Sequence, residues 1–312
     1  MTLRVTQIIL IITYHKHNAE KLDDVPAERT TRMPNAYAHY KLGEEVFPRL
    51  SPGLREMIAR QKALFQAGLY GPDIFFYYRP LTKTAAGRLG TVLHQRPAAE
   101  FFRRAKSSLS RMTQPGAGEA YLCGYVSHFA LDSCCHSYVE YMVDHAGMDH
   151  AEMETEFDRA LMQRDGLDPL RHHTAAHLAA ITPREAEVMA AVHEGLSPAE
   201  ALEAARSMAK YSRLLLPTHP LKRTVLEVAL RIAGKYESLH GLLMERKPVE
   251  ACRETTRELL SCYRKAVFLA AELIENYDAF LRDQAPLSRR FDRIFDGDAM
   301  EKERIKERVS HD

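Results

Sequence analysis

The stretch Tyr121–Arg159, YLCGYVSHFALDSCCHSYVEYMVDHAGMDHAEMETEFDR, decides how this chain is read. It places His128, Asp132 and His136 at successive four-residue steps, then His150 and Glu154 at another. An α-helix turns about 100° per residue, so side chains four apart lie within about 40° of one another on one face. Two imidazoles then flank one carboxylate in a single stripe, and the second pair falls on a following helix. The intervening Phe129, Ala130, Leu131, Cys134, Cys135, Tyr138 and Val139 are apolar. A helix apolar on most faces is a buried one, and buried imidazoles and carboxylates need partners. Any one of these residues alone reads equally well as a surface polar group; the set, on an apolar helix, does not. Nitrogen and oxygen donors at this density suit Zn²⁺.

Working outward, His39, Asp73 and His94 each stand at the edge of a different upstream segment. Singly, the two histidines read as helix-end or surface groups and Asp73 as a turn former. Taken together, His39, Asp73, His94, His128, Asp132, His136, His150 and Glu154 exceed the three or four protein ligands of one tetrahedral zinc and suit two or three ions. Neighbouring metals can lower the pKa of a bound water and clamp the oxygens of a phosphate ester, so phosphoester hydrolysis is the favoured chemistry. Pro72 excludes a mid-helix position for Asp73. On a loop, that carboxylate is the candidate both to ligate metal and to orient or deprotonate the attacking water. His145 and Asp149 make a competing four-step pair but straddle Gly147, whereas Met153 and Phe157 give the His150–Glu154 helix an apolar side. His172, His173 and His177 read as surface groups.

With 312 residues the chain can bury a large core. Its 43 basic and 42 acidic residues leave a net charge of +1, which argues against a stable nucleic-acid partner. The five cysteines form no C-x-x-C pair and read as reduced thiols in a cytoplasmic setting. No apolar run reaches the length of a spanning helix; Val5–Tyr14 is the nearest, and export through a weak N-terminal signal is the alternative placement. Residues 1–32 read as an upstream extension. Helical patterns fill residues 33–285, with helices expected over Asn35–Phe47, Leu54–Gln66, Leu221–Met244 and Val249–Leu281, the central helix starting near Gly118, and a loop over Gly68–Pro80 that contains Asp73 and whose aromatic run Ile74–Tyr78 is read as buried loop or helix start. Thr182-Pro183-Arg184-Glu185 and Ser197-Pro198-Ala199-Glu200 each carry a capping box with proline at the first helical position. Residues 286–312 read as a charged tail, solvated from Arg289 onward. The fold expected is all-α, one multi-helix domain.

The ordered set resembles the zinc-dependent phospholipase C family, in its broader phospholipase C/D form, which is related in fold to the P1-type zinc nucleases. The likeness runs from Met33 to Arg164. An early histidine follows Met-Pro (Met33, Pro34, His39), a Gly-Pro-Asp turn follows (Gly71, Pro72, Asp73), and His94 precedes the next helix. Then come His-x-x-x-Asp (His128, Asp132), His136 and His-x-x-x-Glu (His150, Glu154). The resemblance implies a three-zinc site: His136, His150 and Glu154 on one ion, Asp73, His94, His128 and Asp132 on a second, His39 and Asp132 on a third. In the secreted bacterial enzymes the third ion also takes the mature amino terminus; here 32 residues precede Met33. Those enzymes place five residues between the aspartate and the next histidine; this chain places three (Ser133, Cys134, Cys135), as in the phospholipase D-like branch. The substrate implied is a phospholipid or other phosphodiester met at a membrane surface as a peripheral contact. A single-strand nuclease of the same fold and a catalytically silent, metal-stabilised helical protein are the competing readings.

Overall fold

The structure, a computed structural model, describes residues 36–80, 82–297, 301–303 and 305–306. The extension read over residues 1–32 lies outside them. Among the described residues every regular element is helical, which gives the all-α architecture expected. In chain order these are α1 (Tyr37–Val46), α2 (Pro52–Arg60), α3 (Lys62–Gly68), α4 (Ala85–Gln95), α5 (Ala98–Leu109), α6 (Pro115–Ala146), α7 (His150–Arg164), α8 (Pro183–Ala191), α9 (Pro198–Leu215), α10 (Pro220–Ile232) and α11 (Arg253–Leu281), joined by turns, short 3₁₀ segments and a single α-helical turn, Tyr236–Leu239.

The organising element is α6, 32 residues and about 48 Å long. It opens with Pro115 in its first turn, where the missing N–H costs nothing, and closes at Gly147, whose φ of 63° lets its N–H reach back to the Met142 carbonyl. Almost every residue from Ala120 to Tyr141 is buried, so the helix is an axis on which the others pack. Helices α11 and α3 make its most extensive contacts.

The α3–α6 contact depends on two glycines. A Cβ on Gly68 would stand 2.0 Å from the Tyr121 carbonyl oxygen, and one on Gly124 would stand 2.2 Å from that of Phe65. Only hydrogen fits on either side, so the two backbones touch directly. This approach brings the chain just after α3 against the middle of α6, where His128 lies.

Several expected boundaries are corrected. The central helix begins at Pro115 rather than Gly118. The segment expected as one helix over Leu54–Gln66 is α2 and α3, because Gln61 leaves the helical region (φ −123°, ψ 37°). The helix expected over Leu221–Met244 stops at Ile232, because Gly234 takes a left-handed φ of 64°. Its partner begins at Arg253 after a 3₁₀ turn over Glu250–Cys252. Asp73 lies not on an irregular loop but in the first turn of a 3₁₀ helix, Gly71–Tyr77. Pro72 still forbids an α-helix interior there, and a first turn tolerates it. The capping boxes at Thr182–Glu185 and Ser197–Glu200 form as read, each with both reciprocal hydrogen bonds. His145 and Asp149 do not pair as ligands: Asp149 caps α7 by accepting from the Glu152 N–H at 2.8 Å, and His145 stacks on Tyr141.

The largest correction concerns the tail. Phe291 and Phe295 are fully buried against Phe102, Phe129 and Tyr125, so the segment 289–297 is pinned to the core through these rings while Arg289, Arg290 and Asp292 stay exposed. Charges at Arg289, Arg290, Asp292 and Arg293 hide two aromatic anchors, whose burial outweighs their neighbours' polarity because each ring removes far more apolar area from water.

The glycine contact is tested directly. Gly124→Ala should destabilise the protein by about 1–3 kcal/mol or more, read as a fall in thermal or denaturant midpoint, because a methyl group must displace backbone on α3. Gly53→Ala, with nothing near its added Cβ, is the matched control and should change little.

Candidate metal centre

The site is assembled from four helices and one 3₁₀ turn. Helix α1 contributes His39, the 3₁₀ turn Asp73, the last turn of α4 His94, α6 His128, Asp132 and His136, and α7 His150 and Glu154. All eight sequence candidates converge, and six of them are buried. Among the described residues, three groups have donor atoms within 4.8 Å of one another: His39, His128 and Asp132; Asp73, His94 and His128; His136, His150 and Glu154.

Asp132 is the hub. Its Oδ1 lies 3.4 Å from His39 Nε2 and 3.9 Å from His136 Nε2; its Oδ2 lies 2.9 Å from His128 Nε2 and 3.9 Å from His94 Nε2. Asp73 bridges in the same way, with Oδ1 3.0 Å from His94 Nε2 and Oδ2 3.8 Å from His128 Nε2. In the third group Glu154 Oε1 sits 3.1 Å from His150 Nε2 and 3.4 Å from His136 Nε2. The one-to-three grouping implied by resemblance differs in a detail: His128 is shared by two of the compact groups, so its neighbours rather than its sequence position determine its partners.

Local structure aims the imidazoles. His94 Nδ1 donates to the Gly90 carbonyl at 2.8 Å, one helical turn back, and His128 Nδ1 donates to the Leu69 carbonyl at 3.2 Å. Each bond holds its ring in place and leaves Nε2 pointing inward toward the other donors. The second bond exists because of the glycine contact between α3 and α6, which carries Leu69 to His128. Gly71 completes the fit: at φ 46°, a Cβ there would stand 2.4 Å from the His128 ring. His39 is placed by the start of α1, whose Tyr37 and Ala38 N–H groups donate to the Asp158 carboxylate of α7 at 2.9 and 2.8 Å. It stacks on His128 with ring centroids 4.2 Å apart.

Four polar atoms inside this cluster have no hydrogen bond: His39 Nδ1, His128 Nε2, Asp132 Oδ2 and His136 Nδ1. His128 Nε2 and Asp132 Oδ2 stand close without hydrogen-bonding angles. Leaving such groups unsatisfied costs about 1–3 kcal/mol each, and a cation lying between nitrogen and carboxylate donors would satisfy both. The donor set, imidazole nitrogens with carboxylate oxygens and no thiolate, fits zinc. His39, Asp73, His94, His128, Asp132, His136, His150 and Glu154 are the residues able to hold it.

Electrostatics prepares the donors. Burial, then the adjacent His128 imidazole, hold His39 down at about 4, so it stands neutral with a free lone pair. Burial pushes the Asp132 carboxyl up, but the His128 and His136 imidazoles outweigh it and keep the group ionised, well below the usual carboxylate range. Glu154 is likewise drawn well below that range by His150 and His136 against its burial. Burial lowers His94, but the Asp73 carboxylate overcomes it and lifts the imidazole to about 9. Asp132 and Glu154 similarly raise His136 against its burial.

Two carboxylates escaped the sequence reading. Glu140, buried on α6, accepts from His150 Nδ1 at 3.2 Å and so orients that ring from behind. The signal was present: Glu140 continues the four-residue ladder of His128, Asp132 and His136. Asp296 lies 3.9 Å from His136 Nδ1, carried there by the pinned tail; the N–H groups of Phe295 and Asp296 also meet the His94 carbonyl at 3.2 and 3.3 Å. No local pattern marked it, because 160 residues separate it from His136 and only the tertiary fold joins them. Among the described residues the remaining buried histidine, His193, is an ordinary core group: it stacks on Phe101 and pairs with the Tyr121 hydroxyl at 3.1 Å.

Two outcomes follow from this geometry. Glu140→Gln should weaken zinc binding about 10–100-fold, read by competition with a chromophoric chelator, because His150 loses its carboxylate partner. In chelator-treated protein, the His94–Asp73 pair contributes stability that is complete below the unfolded histidine value of 6.5 and lost as pH rises through about 9. Denaturation midpoints of the metal-free protein should therefore fall across that window, and Asp73→Asn should flatten the slope.

Comparison with known proteins agrees with the geometry. Residues 38–205, more than half the chain and containing all eight candidates, match the family model described as zinc dependent phospholipase C. Searches of curated proteins and of solved structures return no match. By the extent of that match, the chain belongs to the zinc-dependent phospholipase C family.

Proposed function

We propose that the protein hydrolyses a phosphodiester bond of a phospholipid, with eight side chains holding two or three zinc ions. The observation that carries this reading is the position of Asp132, one buried carboxylate with four imidazoles around its two oxygens. A single closed structural site needs no such sharing, whereas adjacent ions do. When bound, zinc supplies a water of lowered pKa and positive charge facing the phosphate oxygens.

The chain's own residues do the rest. Asp132 and Glu154 stay ionised and neutralise charge at the centre of each group. Asp73 sits at the head of a rigid 3₁₀ turn between His94 and His128, and its carboxylate is the group placed to orient a water and accept its proton. Phe76 and Phe295 flank His94, with ring centroids 5.6 Å away in each case, and keep that side of the cluster apolar, which strengthens its electrostatic interactions. No helix among the described residues is long and apolar enough to cross a membrane.

Elemental analysis of protein never exposed to chelator should find about two or three zinc ions per chain; less than one overturns the proposal. Asp73→Asn should retain most of the metal and lower turnover about 10²–10⁴-fold. Asp132→Ala should release more zinc than any other single replacement, and full retention would show that the carboxylate is not shared. A panel of a phosphatidylcholine analogue, bis-nitrophenyl phosphate and single-stranded DNA identifies the substrate class. Cleavage of DNA alone would assign a nuclease, and full zinc with no turnover a metal-stabilised structural protein.

A further inference from the structure

Helix α10 lies beyond the family-matched segment and is apolar on two sides. Leu226, Ala229 and Leu230 form its buried face. Leu221, Val228 and Ile232 are exposed at 60, 47 and 65 %. At 100° per residue these three fall within about 40° of one another, roughly 120° around from the buried face. Half-buried Val225 borders the same stripe. Among the described residues only Val92 and Phe268 are other large apolar side chains so exposed. Single exposed aliphatic residues are ordinary, but an aligned stripe on an already packed helix marks a second contact surface.

Charge around the stripe selects what that surface meets. Residues 210–247 carry eight Lys and Arg against three Glu, a local balance of +5 in a chain whose net charge is +1. Arg231, Arg246 and Lys247 are exposed. At the head of α10, a cavity of about 120 Å³ is lined by Arg171, His219, Pro220, Arg223 and Arg246, with Asp168 the one acidic side chain on its wall. Arg223 is already paired with Glu227 and Glu245, and Arg171 with Asp168 at 3.6 Å, so the charge on this wall left for a ligand is that of Arg246. A second copy of the chain would present the same positive field and be repelled. A soluble anion would use the charge and leave the stripe in water. Aliphatic side chains set among basic ones match a surface with an apolar interior and an anionic face.

We propose that α10 docks the protein on the surface of an anionic phospholipid bilayer. Leu221, Val228 and Ile232 enter the headgroup boundary while Arg231, Arg246 and Lys247 meet lipid phosphates. The proposal deepens the phospholipid reading above, and the structure joins the two regions. The segment following α10 is fastened to α7, the helix of His150 and Glu154. Thr155 Oγ1 donates to the Gly241 carbonyl at 2.7 Å, the Val249 N–H donates to Glu156 at 3.1 Å, and Arg159 donates to the Glu245 carbonyl.

The test uses the full zinc-loaded chain, co-sedimented with vesicles of phosphatidylcholine mixed with phosphatidylglycerol and with vesicles of phosphatidylcholine alone. Binding should favour the mixed vesicles and weaken as salt rises. The triple variant Leu221→Ser, Val228→Ser, Ile232→Ser should lose about tenfold or more in partition, while zinc content and hydrolysis of bis-nitrophenyl phosphate stay at wild-type values. Arg246→Glu with Lys247→Glu should weaken binding to mixed vesicles alone. Wild-type protein that ignores mixed vesicles, or a triple variant that binds them normally, overturns the proposal. So does a triple variant that changes only the sedimentation mass, which would assign the stripe to a second copy. Vesicle binding through the stripe by a protein inactive on every phosphodiester would leave docking intact and remove the hydrolase reading instead.

Discussion

The burial of Asp132 is the constraint that the rest of the molecule answers. A carboxylate 2 % exposed in the middle of a long apolar helix would be strongly unfavourable without compensating charge. Four imidazoles from three helices surround it: His128 and His136 one turn either side, His39 from α1 and His94 from α4, with His94 and His136 the two whose pKa is raised. Because the two oxygens face different imidazoles, the carboxylate cannot be satisfied by one partner, and the surrounding helices are held in one arrangement. The unbonded His128 Nε2 and Asp132 Oδ2 within that arrangement are where the polypeptide alone falls short and a metal cation would complete the network.

Side-chain chemistry at the centre rests on backbone contact at its edge. Gly68 and Gly124 let α3 lie directly on α6, and that approach delivers the Leu69 carbonyl to His128 Nδ1 and the Gly71–Tyr77 turn to the metal donors. Positions that carry no functional group thus hold in place one that does. The tail acts from the opposite side, where Phe291 and Phe295 anchor residues 289–297 and bring Asp296 to His136. The family match ends at residue 205, so this support is built from sequence outside the matched segment.

The helices of the second half have a different relation to the site. Hydrogen bonds from Thr155, Arg159 and Val249 tie residues 241–249 to α7, so α10 and the metal helix are mechanically connected although no α10 side chain is among the metal donors. A phosphodiesterase acting on lipid has two separate requirements, a polar centre for the reaction and an apolar contact with the aggregate that holds its substrate. On the proposed function, the first would lie between residues 39 and 154 and the second at residues 221–232, each drawn from residue types the other avoids.

The sequence by itself determined the helical class, the capping boxes, the buried nature of the central helix and which eight side chains converge. It could do so because helical periodicity is local: a four-residue step puts His128, Asp132 and His136 on one face whatever the rest of the chain does. Glu140 lay within the same ladder and could have been read. The breaks at Gln61 and Gly234 were less legible, since single backbone torsions there overrule otherwise continuous patterns. Only tertiary structure decided that His128 is shared by two donor groups, that Asp296 faces His136 and that a charged tail hides two core phenylalanines. These depend on contacts between residues far apart in the chain, which burial energy and glycine-sized gaps select and no local spacing records.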